Sequence, residues 1–272
     1  MRWNDIIRNS IKVVIWDLDY VIWAGTLAEN DDVKLYVYIK SILSILNKRG
    51  ITNIICSNNY YDDARTKLIE FNIWDHFKMA SITFSPKGPR VKRLIEDLQI
   101  SDENVLMIDD NINELFEVKF YNNINLAHGY YIQNILKNKY LQGNEDKLFK
   151  SIDCSREQEQ EVNIEIRYED NEEFLKTTNM HISLIDCNTY MLERLYDLIK
   201  TSCQLNFTKN YITKKELKNL ILDKEITTKC VILKDIFSYK GLVGFFVLKN
   251  NRLIHFVFSH RVLHMGIEQW VY

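Results

Sequence analysis

The chain has 272 residues, 46% of them hydrophobic, and a formal net charge of −2, enough apolar content for one large core or two smaller ones. That charge excludes the strong basic field of a nucleic-acid partner, two prolines and eight glycines exclude a low-complexity chain, and no apolar run reaches the roughly 18–20 residues of a membrane span. Five cysteines without CxxC spacing (Cys56, Cys154, Cys187, Cys203 and Cys230), and Asp5 and Asp17 interrupting any secretory leader, predict a reduced, cytoplasmic protein.

In chain order, the first half alternates strands and helices. Lys12 to Trp16 is a short β-branched run suited to a buried parallel strand, and it ends on Asp17-Leu18-Asp19. Leu35, Ile39, Ile42, Leu43 and Leu46 recur at helical spacing, with Arg49-Gly50 as the predicted C-cap. Thr52 to Cys56 predicts a second strand, ending at Ser57-Asn58-Asn59, and Asp62 to Phe71 a helix. Met79 to Phe84 predicts a third strand, followed by a Ser85-Pro86-Lys87-Gly88-Pro89 loop. Val91 to Leu98 reads as a helix, and Val105 to Ile108 as a strand ending on Asp109-Asp110. This rhythm predicts an α/β fold with a doubly wound parallel sheet over residues 1–137. Residues 138–171 mix acids and bases with few apolar runs and predict an exposed helical connector. Residues 172–272 predict a smaller α+β domain. Its helices are Met191 to Ile199 and Lys214 to Leu222, and its antiparallel strands Cys230 to Leu233, Leu242 to Leu248 and Leu253 to Phe258.

Asp17, Asp19, Ser57, Lys87, Asp109 and Asp110 all follow predicted strands. In a parallel sheet those ends share one edge, where open α/β folds place their ligands. Two acids one residue apart repel each other unless a cation or a phosphoryl group sits beside them. Taken alone, Asp-x-Asp is equally well a solvated strand end. Together the groups match phosphoryl transfer: one carboxylate to attack, another to move a proton, a hydroxyl and a lysine to hold phosphoryl oxygens. Further carboxylates suit Mg²⁺, a hard cation that prefers oxygen.

Asp17-Leu18-Asp19-Tyr20-Val21, then Ser57, Lys87 and Ile108-Asp109-Asp110-Asn111, resemble the four motifs of the haloacid dehalogenase (HAD) superfamily. The resemblance implies a HAD-like Rossmannoid sheet, Asp17 as nucleophile and metal ligand, and Asp19 as general acid/base that meets the metal through its backbone carbonyl. It further implies Lys87 as the residue orienting nucleophile and phosphate, Ser57 with Asn58 at the phosphate, and Asp109 or Asp110 completing a Mg²⁺ site. Segments between the motifs are too short for a large cap.

Ile22-Trp23-Ala24-Gly25, Cys56-Ser57-Asn58-Asn59 and Pro86-Lys87 resemble the FkbH-like branch more closely. Its members join a HAD domain to a region similar to GNAT acyltransferases, which Asn206-Phe207-Thr208, Gly241-Leu242-Val243-Gly244 and Ser259-His260-Arg261-Val262-Leu263 resemble. The GNAT-like part is expected to be incomplete, because Arg261 to Gly266 matches the acyl-CoA turn only loosely. The branch implies transfer of a glyceryl unit from 1,3-bisphosphoglycerate to an acyl carrier protein in polyketide-type biosynthesis, with loss of phosphate. A simple HAD phosphatase acting on a small phosphate ester, or a carrier-protein docking module with a vestigial site, are the other readings. Asn58-Asn59-Tyr60 stands where the branch has a Lys-Asn-Asp run, one positive charge fewer beside the phosphate. A thioester route needs a thiol, for which Cys56 is the best-placed candidate and a small buried strand residue the simpler reading. His255, His260 and His264 lack a completing acid or cysteine, so strand alternation explains them better than a second metal site.

Overall fold

The structure, a computed structural model, describes residues 9–29, 31–143, 171–202 and 205–272. The charged connector expected between the domains lies outside these from residue 144 to 170. The chain divides into two compact units, residues 1–171 and 172–272.

The first unit is built on a five-stranded sheet in the order β5-β4-β1-β6-β7, every pairing parallel. These strands are β1 (Val13–Trp16), β4 (Thr52–Ser57), β5 (Met79–Ile82), β6 (Val105–Asp109) and β7 (Asn125–His128). From β1 the chain winds outward through β4 and β5, then returns to β1's other side for β6 and β7. This makes the gap at β1 the point where the winding reverses. Helices cover both faces, so the central strands are buried along their length, all of β1 and β6 included.

Alternation along β1 feeds two cores. Val14 and Trp16 join Ile42, Leu43 and Leu46 of α1 (Ile39–Lys48) and Ala64 and Leu68 of α2 (Tyr61–Glu70). Val13 and Ile15 face Val91 and Leu94 of α3 (Lys87–Asp97) and Leu115 and Val118 of α4 (Ile112–Tyr121). Asn53, buried beside the first core, is satisfied: Trp16 Nε1 donates to Asn53 Oδ1 at 2.9 Å, and Asn53 Nδ2 to Asn47 Oδ1 at 2.8 Å.

Two elements differ from the sequence reading. The helix expected from Leu35 begins at Ile39, because Lys34–Leu35 forms β3, paired antiparallel with β2 (Trp23–Ala24). The loop expected at 85–89 is already helical from Lys87, since Pro89 sits in the first helical turn, where no intrahelical N–H is needed. Packing of the first unit also runs past residue 137, with Leu141 in its core and Arg49 Nη1 donating to the Leu141 carbonyl at 2.8 Å.

The second unit is a four-stranded antiparallel sheet in the order β11-β10-β9-β8. The strands are β8 (His181–Asp186), β9 (Thr227–Lys234), β10 (Tyr239–Lys249) and β11 (Arg252–Phe258). β8 is a strand that the sequence pattern missed, because it lies at the edge and only Ile182, Leu184 and Ile185 are apolar, with most of it exposed. On one face pack Leu195, Leu198 and Ile199 of α6 (Leu192–Thr201) and Leu217 of α7 (Lys214–Leu222), after a short helix α5 (Glu172–Thr177). The start of α7 is fixed by a capping box in which Thr213 and Glu216 bond each other's backbone N–H. On the other face, Val231, Val243 and Phe258 pack with Ile267 of α8 (Ile267–Val271). Gly244 is required there: a Cβ would lie 2.3 Å from the Phe258 ring. No helix among the described residues is long and apolar enough to cross a membrane.

Candidate active site

The carboxyl ends of β1, β4 and β6 and the start of α3 bring the expected residues together. Asp17 leaves β1 with its N–H bonded to the Ile108 carbonyl at 3.0 Å. The next turn is closed by the N–H groups of Val21, Ile22 and Trp23 on the Leu18 carbonyl, with Tyr20 at φ 55 in the left-handed region. A bulky residue there costs about 1 kcal/mol. The turn folds the chain back so that Trp23 Nε1 (2.8 Å) and the Leu27 N–H (3.1 Å) both donate to Asp19 Oδ1.

The two carboxylates of Asp-x-Asp therefore enter different surroundings. Asp17 points into an acid cluster, whereas the Asp19 side chain is turned to the flap and bonded on Oδ2 by Asn59 Nδ2 at 3.2 Å. The same Asn59 amide donates to Ser57 Oγ at 3.1 Å, and the Ser57 hydroxyl bonds Asp17. Burial, then the charge of Asp17, raises the Asp19 carboxyl to about 6.

Lys87 is the hub. Only 1% exposed, its Nζ lies 2.9 Å from Asp17 Oδ1 and 2.7 Å from Asp109 Oδ2, and it also pairs with Glu114. Burial alone would lower its pKa, but Asp109, Asp17 and Glu114 hold it well above the ordinary lysine value. It can enter so deeply because Gly88 lets α3 approach α4: a Cβ on Gly88 would meet the Tyr121 ring at 2.3 Å. The acids are pinned in turn, Asp109 Oδ1 by the Asn111 N–H (2.8 Å) and Glu114 Oε1 by Asn111 Nδ2 (3.1 Å).

Asp17, Asp109 and Asp110 each offer an oxygen within 4.8 Å of the other two. Desolvation raises all three, Asp110 to about 7, with the charge of Glu114 adding to the effect and Lys87 opposing it. With Glu114 added, these acids carry more negative charge than one ammonium balances. Three hard oxygen donors short of positive charge form a donor set that fits Mg²⁺. The Asp19 side chain is not part of that set.

Several residues bring more than the motifs suggested. Arg90, one helical turn after Lys87, is buried; its Nη2 donates to Asn58 Oδ1 at 2.6 Å and its Nη1 to the Ser57 carbonyl at 3.2 Å. It places a positive charge beside Asn58. The i, i+3 spacing from Lys87 at a helix start is the signal that could have found it. Asn58 thus has its carbonyl oxygen occupied, while its Nδ2 reaches Glu114 Oε1 at 3.4 Å.

Cys56 has the surroundings of the small buried strand residue, the simpler of its two readings. Its side chain is fully buried among Ile15, Ile54, Val91 and Met107, on the opposite side of β4 from Ser57, and burial pushes its thiol up. A thiol without solvent access or thiolate character is a poor nucleophile. A Cys56→Ala variant is expected to keep full turnover and lose about 1 kcal/mol of stability in urea unfolding. The histidines likewise do not converge: His255 is buried against Phe245, and among the described residues only the aspartate trio makes a metal-type cluster.

Glu117 of α4 is buried, its Oε1 accepting the Gly88 N–H at 2.6 Å. Burial pushes its carboxyl up to about 7. An unfolded glutamate ionises near about 4.3. Between that value and about 7 the folded chain keeps a proton the unfolded chain has lost, so stability falls as pH rises through this window and then levels. Glu117→Gln keeps the acceptor and removes the slope. Urea unfolding is expected to show the variant gaining about 3–4 kcal/mol at about pH 8 and little at about pH 4.

Among solved structures, the chain is similar to an uncharacterized Listeria monocytogenes protein (18% identity, 43% of this chain, 78% of that one, TM-score 0.38). It is similar to the N-terminal part of a Bacteroides fragilis protein containing a phosphatase domain complexed with Mg (18% identity, 44% and 36%, TM-score 0.40). A third is a HAD-superfamily hydrolase from Ehrlichia chaffeensis (15% identity, 48% and 98%, TM-score 0.38). No curated protein matches. Residues 8–116 match the family model of haloacid dehalogenase-like hydrolases, and that match spans β1 to α4 with Asp17, Asp19, Ser57, Lys87, Asp109 and Asp110. The first unit of this chain carries a haloacid dehalogenase-like hydrolase domain.

Proposed function

We propose that the domain is a Mg²⁺-dependent phosphatase or phosphotransferase working through an aspartyl-phosphate on Asp17. The observation that carries this is the division of labour within Asp-x-Asp. Asp17 sits against Lys87 at 2.9 Å, facing the acid cluster, while the Asp19 carboxylate is held apart by Trp23, Leu27 and Asn59. Two carboxylates pushed into different environments are what separate nucleophile and acid roles require.

In this reading an Asp17 oxygen attacks phosphorus while Asp19 gives its proton to the departing ester oxygen. Asp19 then takes a proton from the water that cleaves the acyl phosphate, returning both acids to their starting states. Ser57, Asn58 and Lys87 orient the phosphoryl oxygens. Asp17, Asp109, Asp110 and the Asp19 backbone carbonyl would hold Mg²⁺, which when bound supplies positive charge to the phosphoryl oxygens.

For the substrate we favour the FkbH-like reading: a glyceryl unit from 1,3-bisphosphoglycerate passed to an acyl carrier protein with loss of phosphate. Its support is the motif resemblance, the lack of room for a large cap between β1 and β5, and the attached α+β unit, read here as GNAT-like. A bare phosphatase has no need of that second unit. Burial of Cys56 speaks against a relay of the acyl group through its thiol. The test is to incubate the protein with Mg²⁺, 1,3-bisphosphoglycerate and a phosphopantetheinylated carrier protein, and to weigh the intact carrier. A glyceryl-sized gain supports transfer; phosphate release without any gain leaves a small-molecule phosphatase.

A further inference from the structure

The second unit holds a pair of sulfurs that phosphoryl chemistry does not use. Cys187 and Cys230 are both free thiols, and their Sγ atoms lie 2.9 Å apart. Strand register brings them together. β8 and β9 run antiparallel with Ile185 opposite Cys230 and Asp186 opposite Lys229, and the Cys187 N–H continues the ladder to the Thr228 carbonyl. Cys187 is therefore a diagonal neighbour of Cys230 on one face of the sheet, a position from which side chains meet. Met191 Sδ lies 3.5 Å from the Cys230 sulfur on the same face.

The two thiols differ in access and in acidity. β8 is the edge strand, and Cys187 at its end keeps 8% of its surface, whereas Cys230 keeps none. Hydrogen bonding from Cys230, against the opposing effect of burial and with help from Thr228, holds the Cys187 thiol below its ordinary value. The same bond, with burial, holds Cys230 above its own. A thiol at the end of an edge strand, its sulfur 2.9 Å from that of a fully buried partner, is placed for the two to join once one of them is oxidised.

We infer that Cys187 and Cys230 form a peroxide-responsive dithiol that closes into a disulfide tying the end of β8 to β9. The Cys187 sulfur attacks one oxygen of a peroxide. The O–O bond breaks, the sulfur is oxidised to sulfenic acid, and the other oxygen leaves as water (or as an alcohol from an organic peroxide). The Cys230 sulfur then attacks the Cys187 sulfur, the S–O bond breaks, and a second water leaves with the Cys230 proton. Two thiols lose two electrons in total and the peroxide gains them.

The test treats the full chain with hydrogen peroxide, alkylates the remaining thiols and maps a non-reducing digest by mass spectrometry. A Cys187–Cys230 cross-linked peptide that dithiothreitol reverses is expected. Both cysteines still alkylated after treatment, or cross-links running instead to Cys154 or Cys203, would overturn the pairing. In Cys230→Ala, Cys187 is expected to accumulate as a sulfenic acid that dimedone traps. In Cys187→Ala, Cys230 is expected to stay reduced; sulfenic acid at Cys230 there would overturn the assigned order of attack. Should either variant fail to fold, the map of the unmodified chain decides the pairing by itself.

Discussion

An Asp17→Asn chain is expected to release phosphate at least about 10⁴-fold more slowly than the native chain, since the amide cannot attack phosphorus. The same variant is expected to be no less stable. Asp17 is buried, and desolvation raises its pKa, with Glu114 adding to the effect against Lys87's pull. Lys87 keeps Asp109 and Glu114 as partners when Asp17 becomes neutral. Removing one of several crowded acids relieves repulsion, so urea unfolding should give a stability equal to or above that of the native chain. Lost turnover with retained stability is the signature of a residue kept for chemistry against the interests of the fold. Turnover surviving in Asp17→Asn would remove the aspartyl-phosphate route altogether. A large loss of stability would instead make Asp17 a structural ion-pair partner.

Lys87→Met should have the opposite balance, costing both activity and stability. The ammonium is the charge shared by Asp17, Asp109 and Glu114 in a water-poor site. Breaking a buried pair by removing one partner costs about 3–5 kcal/mol, because the remaining charges are left uncompensated. The loss depends on pH in a definite direction. Without Lys87 the folded-state pKa values of Asp17 and Asp109, already raised by burial, rise further, while the unfolded values do not change. The folded variant then holds protons that its unfolded chain has released, so its stability falls as pH rises above about 4. Urea unfolding at about pH 5 and about pH 8 reads this directly, with the larger deficit expected at the higher pH. Added Mg²⁺ is expected to recover part of the deficit at the higher pH by binding only the folded state. A deficit independent of pH would mean that lost packing, not lost charge, is responsible.

The elements most legible in the sequence were those with a strong local pattern. β1, β4 and β6 are short apolar runs bounded by polar residues, and α7 matches its predicted range, Lys214 to Leu222, because a capping box fixes its start. β8 was missed because an exposed edge strand has no buried face to print a pattern. The flap strands at Trp23–Ala24 and Lys34–Leu35 are two residues each, too short for any periodicity, and exist because they pair with each other.

The candidate site divides in the same way. From sequence alone, Asp17, Asp19, Ser57, Lys87, Asp109 and Asp110 could be placed at the ends of strands that a parallel sheet gathers on one edge, since strand limits are set by local residue pattern. Where each side chain points, and which charge it meets, depends on contacts between segments tens of residues apart. The tertiary structure alone decided that Asp19 turns away from Asp17 to Trp23 and Asn59, and that Glu114 shares Lys87 with Asp109. It also supplied Arg90 beside Asn58, buried Cys56 and set Cys187 against Cys230. Register and burial create those pairings, and neither is written in the spacing of residues along one strand.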